Sequence, residues 1–240
     1  MISAVLGDAA EVYRRLWARS VAAAGLIFVL VSLADALASR RPTTGTELVS
    51  LVLRLLGGLL VQGTLVELVR DLHEGRPRAS LGDYYRRTRG ELGTLLAATV
   101  LAAVGISLGF VFLLVPGLIL LARWSLIVPL VMLERRSVGE AFARSNQLVR
   151  GKTGRVLVIA VVAGLISTLA ALLVTVAFTF LPAFWASWIG GTLAGAVAVP
   201  YQAFVLTVLY YRLTEPERPL LPGRAPRPPW RSAWDEEPPA

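Results

Sequence analysis

Two arginines, Arg54 in the run LVLRLLGG and Arg123 in the run LLARWSLIVP, stand inside long apolar stretches of a 240-residue chain. A guanidinium at mid-bilayer depth costs about 2.5–3.5 kcal/mol on insertion scales, so such a group faces a polar cavity, a partner or the interface. The chemistry available to a fixed guanidinium there is recognition of an anion, such as the phosphate of a lipid headgroup. The alternative is that both side chains snorkel to the outer interface, or pair with Asp35, Glu47 or a helix C-terminal carbonyl. Glu67 and Glu134 stand near the far ends of the same two apolar runs. A carboxylate there can relay protons, or can form structural ion pairs with Arg70, Arg135 or Arg144; the pairing is the reading carried forward. Pro129 and Pro200 lie within apolar runs, where a proline frees a backbone carbonyl and bends the helix.

Other chemistry is excluded by what the chain lacks. It has no cysteine and one histidine, His73, which removes thiolate metal sites and most imidazole chemistry. It has no phosphate-binding glycine loop, no G-x-S-x-G, no H-E-x-x-H and no paired carboxylates at a shared depth. The expectation is a protein that is not an enzyme and has no cofactor and no metal. His73, beside Asp71 and Glu74, reads as a solvated loop residue.

The elements that must carry these residues are membrane spans. The chain is 55% hydrophobic with mean hydropathy +0.65, and its apolar residues fall in blocks of about 20, the length that crosses a hydrocarbon core. Six spans are drawn at 20–38, 47–69, 92–114, 117–134, 155–181 and 185–212. Pro116 and Gly117 read as the tight turn between the third and fourth, because proline ends a helix and glycine permits reversal. LPAFW reads as the turn between the fifth and sixth, with Trp185 and Trp188 at interface depth. The net charge is +8, almost all from arginine. With the N-terminus inside, twenty of the 24 basic residues fall on the cytoplasmic side, two outside and two within spans. That asymmetry predicts both termini in the cytoplasm and removes any need to invoke nucleic acid. The N-terminus lacks the pattern of a cleaved signal peptide. From residue 214 to 240 the chain is rich in Pro, Arg and Glu and is expected to form a disordered tail, leaving 1–213 as the membrane domain.

An apolar–Gly–acid triplet recurs before the odd-numbered spans: Leu6-Gly7-Asp8, Leu81-Gly82-Asp83 and Val138-Gly139-Glu140. Ser80 with Asp83 and Ser137 with Glu140 have the spacing of a capping box, and an acid in the first turn suits the helix dipole. With Asp8 as the first-turn acid of the earliest copy, each triplet opens an amphipathic helix lying in the headgroup plane, arginines near lipid phosphates. The expected architecture is all-α: six transmembrane helices with three interfacial amphipathic helices, in three helix-plus-hairpin units. Gly105-x-x-x-Gly109 and Gly191-x-x-x-Gly195 match the close-packing motif of membrane helices and are expected to pack helices within one chain. The expected partners are membrane lipids with anionic headgroups and a partner membrane protein, with no oligomeric state assigned.

The segment VPGLILLARWSLIVPLVMLERRSVGEAFARSNQLVRGKTGRVLVI, Val115 to Ile159, resembles the bacterial glycerophosphoryl diester phosphodiesterase membrane-domain family. The residues that carry it are Pro116, Gly117, Arg123, Pro129, Glu134, Ala141, Arg144, Ser145, Leu148 and Gly151. EGRPRASLGDYYRR and PYQAFVLTVLYYRL also look like that family. The resemblance implies a multi-span protein of the bacterial inner membrane. In that family phosphodiesterase activity belongs to a separate soluble barrel, for which this chain has no room. The functional expectation is a non-enzymatic membrane protein engaging phospholipid or partner membrane proteins. The alternative is a transporter of an anionic or amphiphilic solute.

Overall fold

The computed structural model describes residues 2–40, 42–77 and 79–215. Among them the chain is all-α, in the order α1 (Ile2–Ala38), α2 (Thr44–Glu74), α3 (Leu81–Phe112), α4 (Leu114–Trp124), α5 (Ile127–Glu134), α6 (Val138–Val149), α7 (Thr153–Ala177), α8 (Ala183–Trp185), a π-helical turn (Ala186–Gly190) and α9 (Gly191–Thr214). Six segments are long and apolar enough to span a membrane: α1, α2, α3, the α4–α5 pair, α7, and α8 through α9. The tail expected to be disordered lies, beyond Glu215, outside the described residues.

The helices differ from the expected pattern where length and termini are concerned. The first two amphipathic segments are not separate helices. Residues 2–38 form one helix and 81–112 another, about 55 and 48 Å long at 1.5 Å per residue. Nothing between Trp17 and Val21 breaks a helix, and a single Gly90 costs only about 1 kcal/mol. These helices therefore run past a hydrocarbon core of about 30 Å. The protruding halves are packed as part of one apolar core that continues into the spans. Val5, Ala9 and Val12 have no exposed surface, and neither have Leu65, Tyr84, Phe204 and Leu209. Their apolar faces are covered by protein rather than by a headgroup layer, with α1 packed chiefly along α9.

Asp8 is accordingly not a capping acid. The helix starts at Ile2, and Asp8 is buried inside it, ion-paired with Arg212 of α9. Ser80 does cap α3: the Asp83 amide donates to its hydroxyl at 3.2 Å, and that hydroxyl donates to the Asp83 carboxylate at 2.7 Å. Only α6 stands apart, because Arg135 in the left-handed region (φ 50°) ends α5 and Gly151 (φ 78°) turns the chain into α7. At its start the Ser137 amide and hydroxyl donate to Glu140 Oε2 at 3.0 and 2.7 Å.

The reversal between the third and fourth spans is made by Leu113 in extended conformation, one turn earlier than expected. Pro116 sits in the first turn of α4, where its missing N–H has no helical acceptor to lose. Gly117 serves close packing: it lies against Gly109, and a Cβ on it would meet the Phe110 ring at 2.6 Å. Pro129 likewise sits in the first turn of α5, just after the break at Ser125 and Leu126. α9 continues through Pro200, which leaves the Ala196 carbonyl without its ladder donor. The neighbouring Val197 carbonyl accepts the Tyr13 hydroxyl at 3.0 Å. Trp188 turns inward and donates to the Val29 carbonyl at 3.1 Å, while Trp185 is exposed.

Glu140 supplies a pH test of the α6 cap. Accepting from the Ser137 hydroxyl and amide holds its carboxyl below the ordinary carboxylate value. A depressed folded value means the cap contributes fully above the unfolded carboxylate value and is lost as pH falls through the folded one. Hydrogen-exchange protection of the first α6 amides is expected to drop selectively on acidification. In Glu140→Gln it should start lower and stay flat across the same range.

Candidate functional site

Arg54 is occupied. Its Nε lies 2.6 Å from Asp35 Oδ2 on α1, so it closes an ion pair across the α1–α2 hairpin rather than waiting for an external anion. Arg123 is different. Its side chain is exposed and, among the described residues, no carboxylate lies within ion-pair distance. Its backbone is committed, because the Ser145 hydroxyl donates to the Arg123 carbonyl at 2.5 Å. Arg54 and Arg123 stand on different helix pairs, and nothing in the geometry joins them in one site.

The residues of the Val115–Ile159 segment form one structural unit. Glu134 Oε1 accepts from the Tyr210 hydroxyl of α9 at 3.1 Å and from Arg144 Nε of α6 at 3.5 Å, while Oε2 accepts from Arg136 at 2.9 Å. Arg135 pairs with Glu91 of α3 at 3.3 Å. Ala141 is buried and Phe142 meets Trp124 edge to face at 4.9 Å. Here α6 is stapled to the broken α4–α5 span, with Glu134 as the hub.

A second network lies between α2 and α3. Glu67 pairs with Arg70 at 3.5 Å and Arg87 at 3.4 Å, and Asp71 receives the Tyr84 hydroxyl at 2.7 Å and faces Arg87 at 3.9 Å. Both carboxylates are almost wholly buried, their side chains 2% and 4% exposed. Sequence reasoning took His73 for a solvated loop residue. It is buried in the last turn of α2, against the Tyr211 ring (centroids 4.1 Å apart) and 3.3 Å from Glu215. The signal available was its place in the run VRDLHEG, which continues the helix to the left-handed cap at Gly75 (φ 66°).

The feature best suited to a ligand is a groove of about 600 Å³ where α1, α2 and the start of α3 meet. Ile27 of α1 and Leu60 of α2 supply apolar surface; Tyr85, Arg86, Arg89 and Leu92 line the α3 side. Tyr85 reaches across to the Ala23 carbonyl of α1 and ties the walls together. Arg86 is fixed against Asp83 at 2.5 Å. Arg89 is exposed and has no ion pair among the described residues. The groove also straddles a change of surface. Leu26 and Leu30 are 58% and 63% exposed on one side, whereas the exposed side chains on the other include Arg15, Arg86 and Arg89. Apolar walls beneath a pair of guanidiniums can hold an anion that carries a hydrocarbon tail. The sequence places these arginines near lipid phosphates but shows no groove, since the apolar walls come from residues about 30 and 60 positions away in the chain. No family model, curated protein or solved structure matches this chain.

Proposed function

We propose that this is a non-enzymatic integral membrane protein that holds an anionic phospholipid in the α1–α2–α3 groove, its phosphate on Arg86 and Arg89 and its acyl chains along Ile27, Leu60 and Leu92. The observation that carries the reading is the coincidence of two exposed guanidiniums with apolar walls at the edge of the apolar band. The basic end of the helices, with Arg86, Arg89, Arg135 and Arg150, is proposed to face the cytoplasm by the positive-inside rule, and the membrane to be a bacterial inner membrane. The likeness of the Val115–Ile159 pattern to the glycerophosphoryl diester phosphodiesterase membrane domain is retained as a proposal of kinship, and it adds no catalytic role.

The test is lipid retention by the purified protein, read by native mass spectrometry from bilayers of phosphatidylcholine and phosphatidylglycerol. Arg86→Gln with Arg89→Gln is expected to cut retained phosphatidylglycerol about ten-fold, since two charge-assisted contacts are lost. Unchanged retention in a folded double variant would sink the reading. A transport reading draws on one specific feature, the broken α4–α5 helix beside the unpaired Arg123. It requires net solute flux in reconstituted vesicles that Arg123→Leu abolishes.

A further inference from the structure

A second cavity, of about 820 Å³, opens at the opposite end of the α1–α2 hairpin, lined in part by Leu37, Arg40, Thr43, Thr46, Val49 and Ser50. It is built differently from the first. The start of α2 points into it, with the Thr46 amide taken by the Thr43 hydroxyl at 3.2 Å. Arg40 is exposed at the cavity, with its guanidinium 4.0 Å from the centre of the Phe184 ring, a contact that holds its position. Ser50 is only 5% exposed, lines the cavity and has no hydrogen-bond partner among the described residues. Its hydroxyl opens to the cavity, where it can bond a polar group that occupies the space.

The two cavities lie at different levels of the hairpin, one lined between Ala34 and Ser50 and the other by Ile27, Leu60 and the start of α3. Asp35 and Arg54 line neither cavity and are closed on each other, Nε to Oδ2 at 2.6 Å. Leu30 and Leu53 stand between them, and the charge of Arg54 at that level is taken by Asp35.

We infer that the Arg40 cavity is a second phospholipid site, taking the phosphate of a lipid from the leaflet opposite to that of Arg86 and Arg89. The phosphate meets Arg40 and the Ser50 hydroxyl near the start of α2, and an acyl chain runs along Leu37 and Val49 toward Leu30 and Leu53. The hairpin seam is then bracketed by one lipid from each leaflet. The inference rests on Arg40 and Ser50, not on the Arg86/Arg89 groove, and survives if that reading fails.

The experiment uses the full chain in nanodiscs of phosphatidylcholine and a photoreactive phosphatidylglycerol, with cross-linked peptides mapped after irradiation. Labelling is expected around Leu37 and Val49 in the wild type. It should fall about ten-fold in Arg40→Gln and in Ser50→Leu, which fills the cavity, and persist in Arg89→Gln. Arg40→Gln changes an exposed side chain and keeps the test open if Ser50→Leu does not fold. Undiminished labelling at Val49 in a folded Arg40→Gln protein would overturn the inference. So would inorganic phosphate at millimolar concentration abolishing the labelling, because the site would then hold the free anion rather than the lipid.

Discussion

Arg87→Ala should lower the stability of the protein by about 3 kcal/mol, among the largest losses open to a single change in the arginine-rich half. Arg87 reaches both Glu67 and Asp71, the two most deeply buried carboxylates of the α2–α3 interface. Removing one partner of a buried pair costs about 3–5 kcal/mol, because the remaining charge keeps its desolvation penalty without its compensation. Two features moderate the figure. Arg87 is itself 40% exposed, and Glu67 retains Arg70 while Asp71 retains the Tyr84 hydroxyl. One feature works the other way: Glu67 Oε1 and Asp71 Oδ1 make no hydrogen bond among the described residues, so little else offsets their charge. The measurement is reversible unfolding in mixed micelles. The decisive comparison is Arg87→Ala with Glu67→Gln, which should recover about half the loss or more by removing one orphaned charge. If the double variant is less stable than either single one, the network is not held together by this charge balance.

This network illustrates what the sequence made legible. The spans were readable because apolar runs of about 20 residues have few alternatives. Glu67 and Glu134 could be read as ion-pair residues because each lies near the end of an apolar run, and Arg144 because it is one of the arginines close by in the chain. The nearby partners Arg70 and Arg144 could be read as well, but the distant ones could not. Tyr210 is 76 residues from Glu134, and Arg212 is 204 from Asp8. No local signal specifies contacts of that separation. The same limit hid the fate of the amphipathic segments. An apolar stripe such as Val5, Ala9, Val12 and Leu16 has one appearance whether lipid or α9 covers it.

Proline and glycine show why boundaries were harder than spans. Pro116 marks a helix start, but the sequence signature of a proline at N3 is the same as that of one in a turn. The groove was least legible of all. Arg86 and Arg89 were visible as charge, yet Ile27 and Leu60 acquire meaning only when α1 and α2 stand beside α3. Arg54 and Arg123 drew attention by being costly to bury; the first is spent on Asp35, and the second has its carbonyl engaged by Ser145.

Gly109→Leu should open the α3–α4 hairpin and lower stability by about 3 kcal/mol, with Gly109→Ala costing about 1–2. A Cβ at Gly109 would lie 3.0 Å from Gly117 Cα and 3.1 Å from its nitrogen. Those are backbone atoms, so no rotamer change relieves the contact and the helices must separate. Membrane helices lose more than space when that happens, because packing rather than water exclusion holds them together. Gly93, on the same helix, provides the control: a Cβ there meets nothing within 4 Å. Helix propensity alone predicts that both Gly→Ala changes stabilise, by up to about 1 kcal/mol. The packing argument predicts opposite signs, with Gly93→Ala gaining and Gly109→Ala losing. The displacement should also travel. α4 ends at Trp124, whose ring packs on Gly105 and Phe142, and the adjoining Arg123 carbonyl holds Ser145. Hydrogen exchange in α6 should therefore rise in Gly109→Leu while the α1–α9 contact keeps its protection. Uniform loss of protection across all helices would mean that the hairpin and the α1–α9 contact unfold as one unit, and would overturn this expectation.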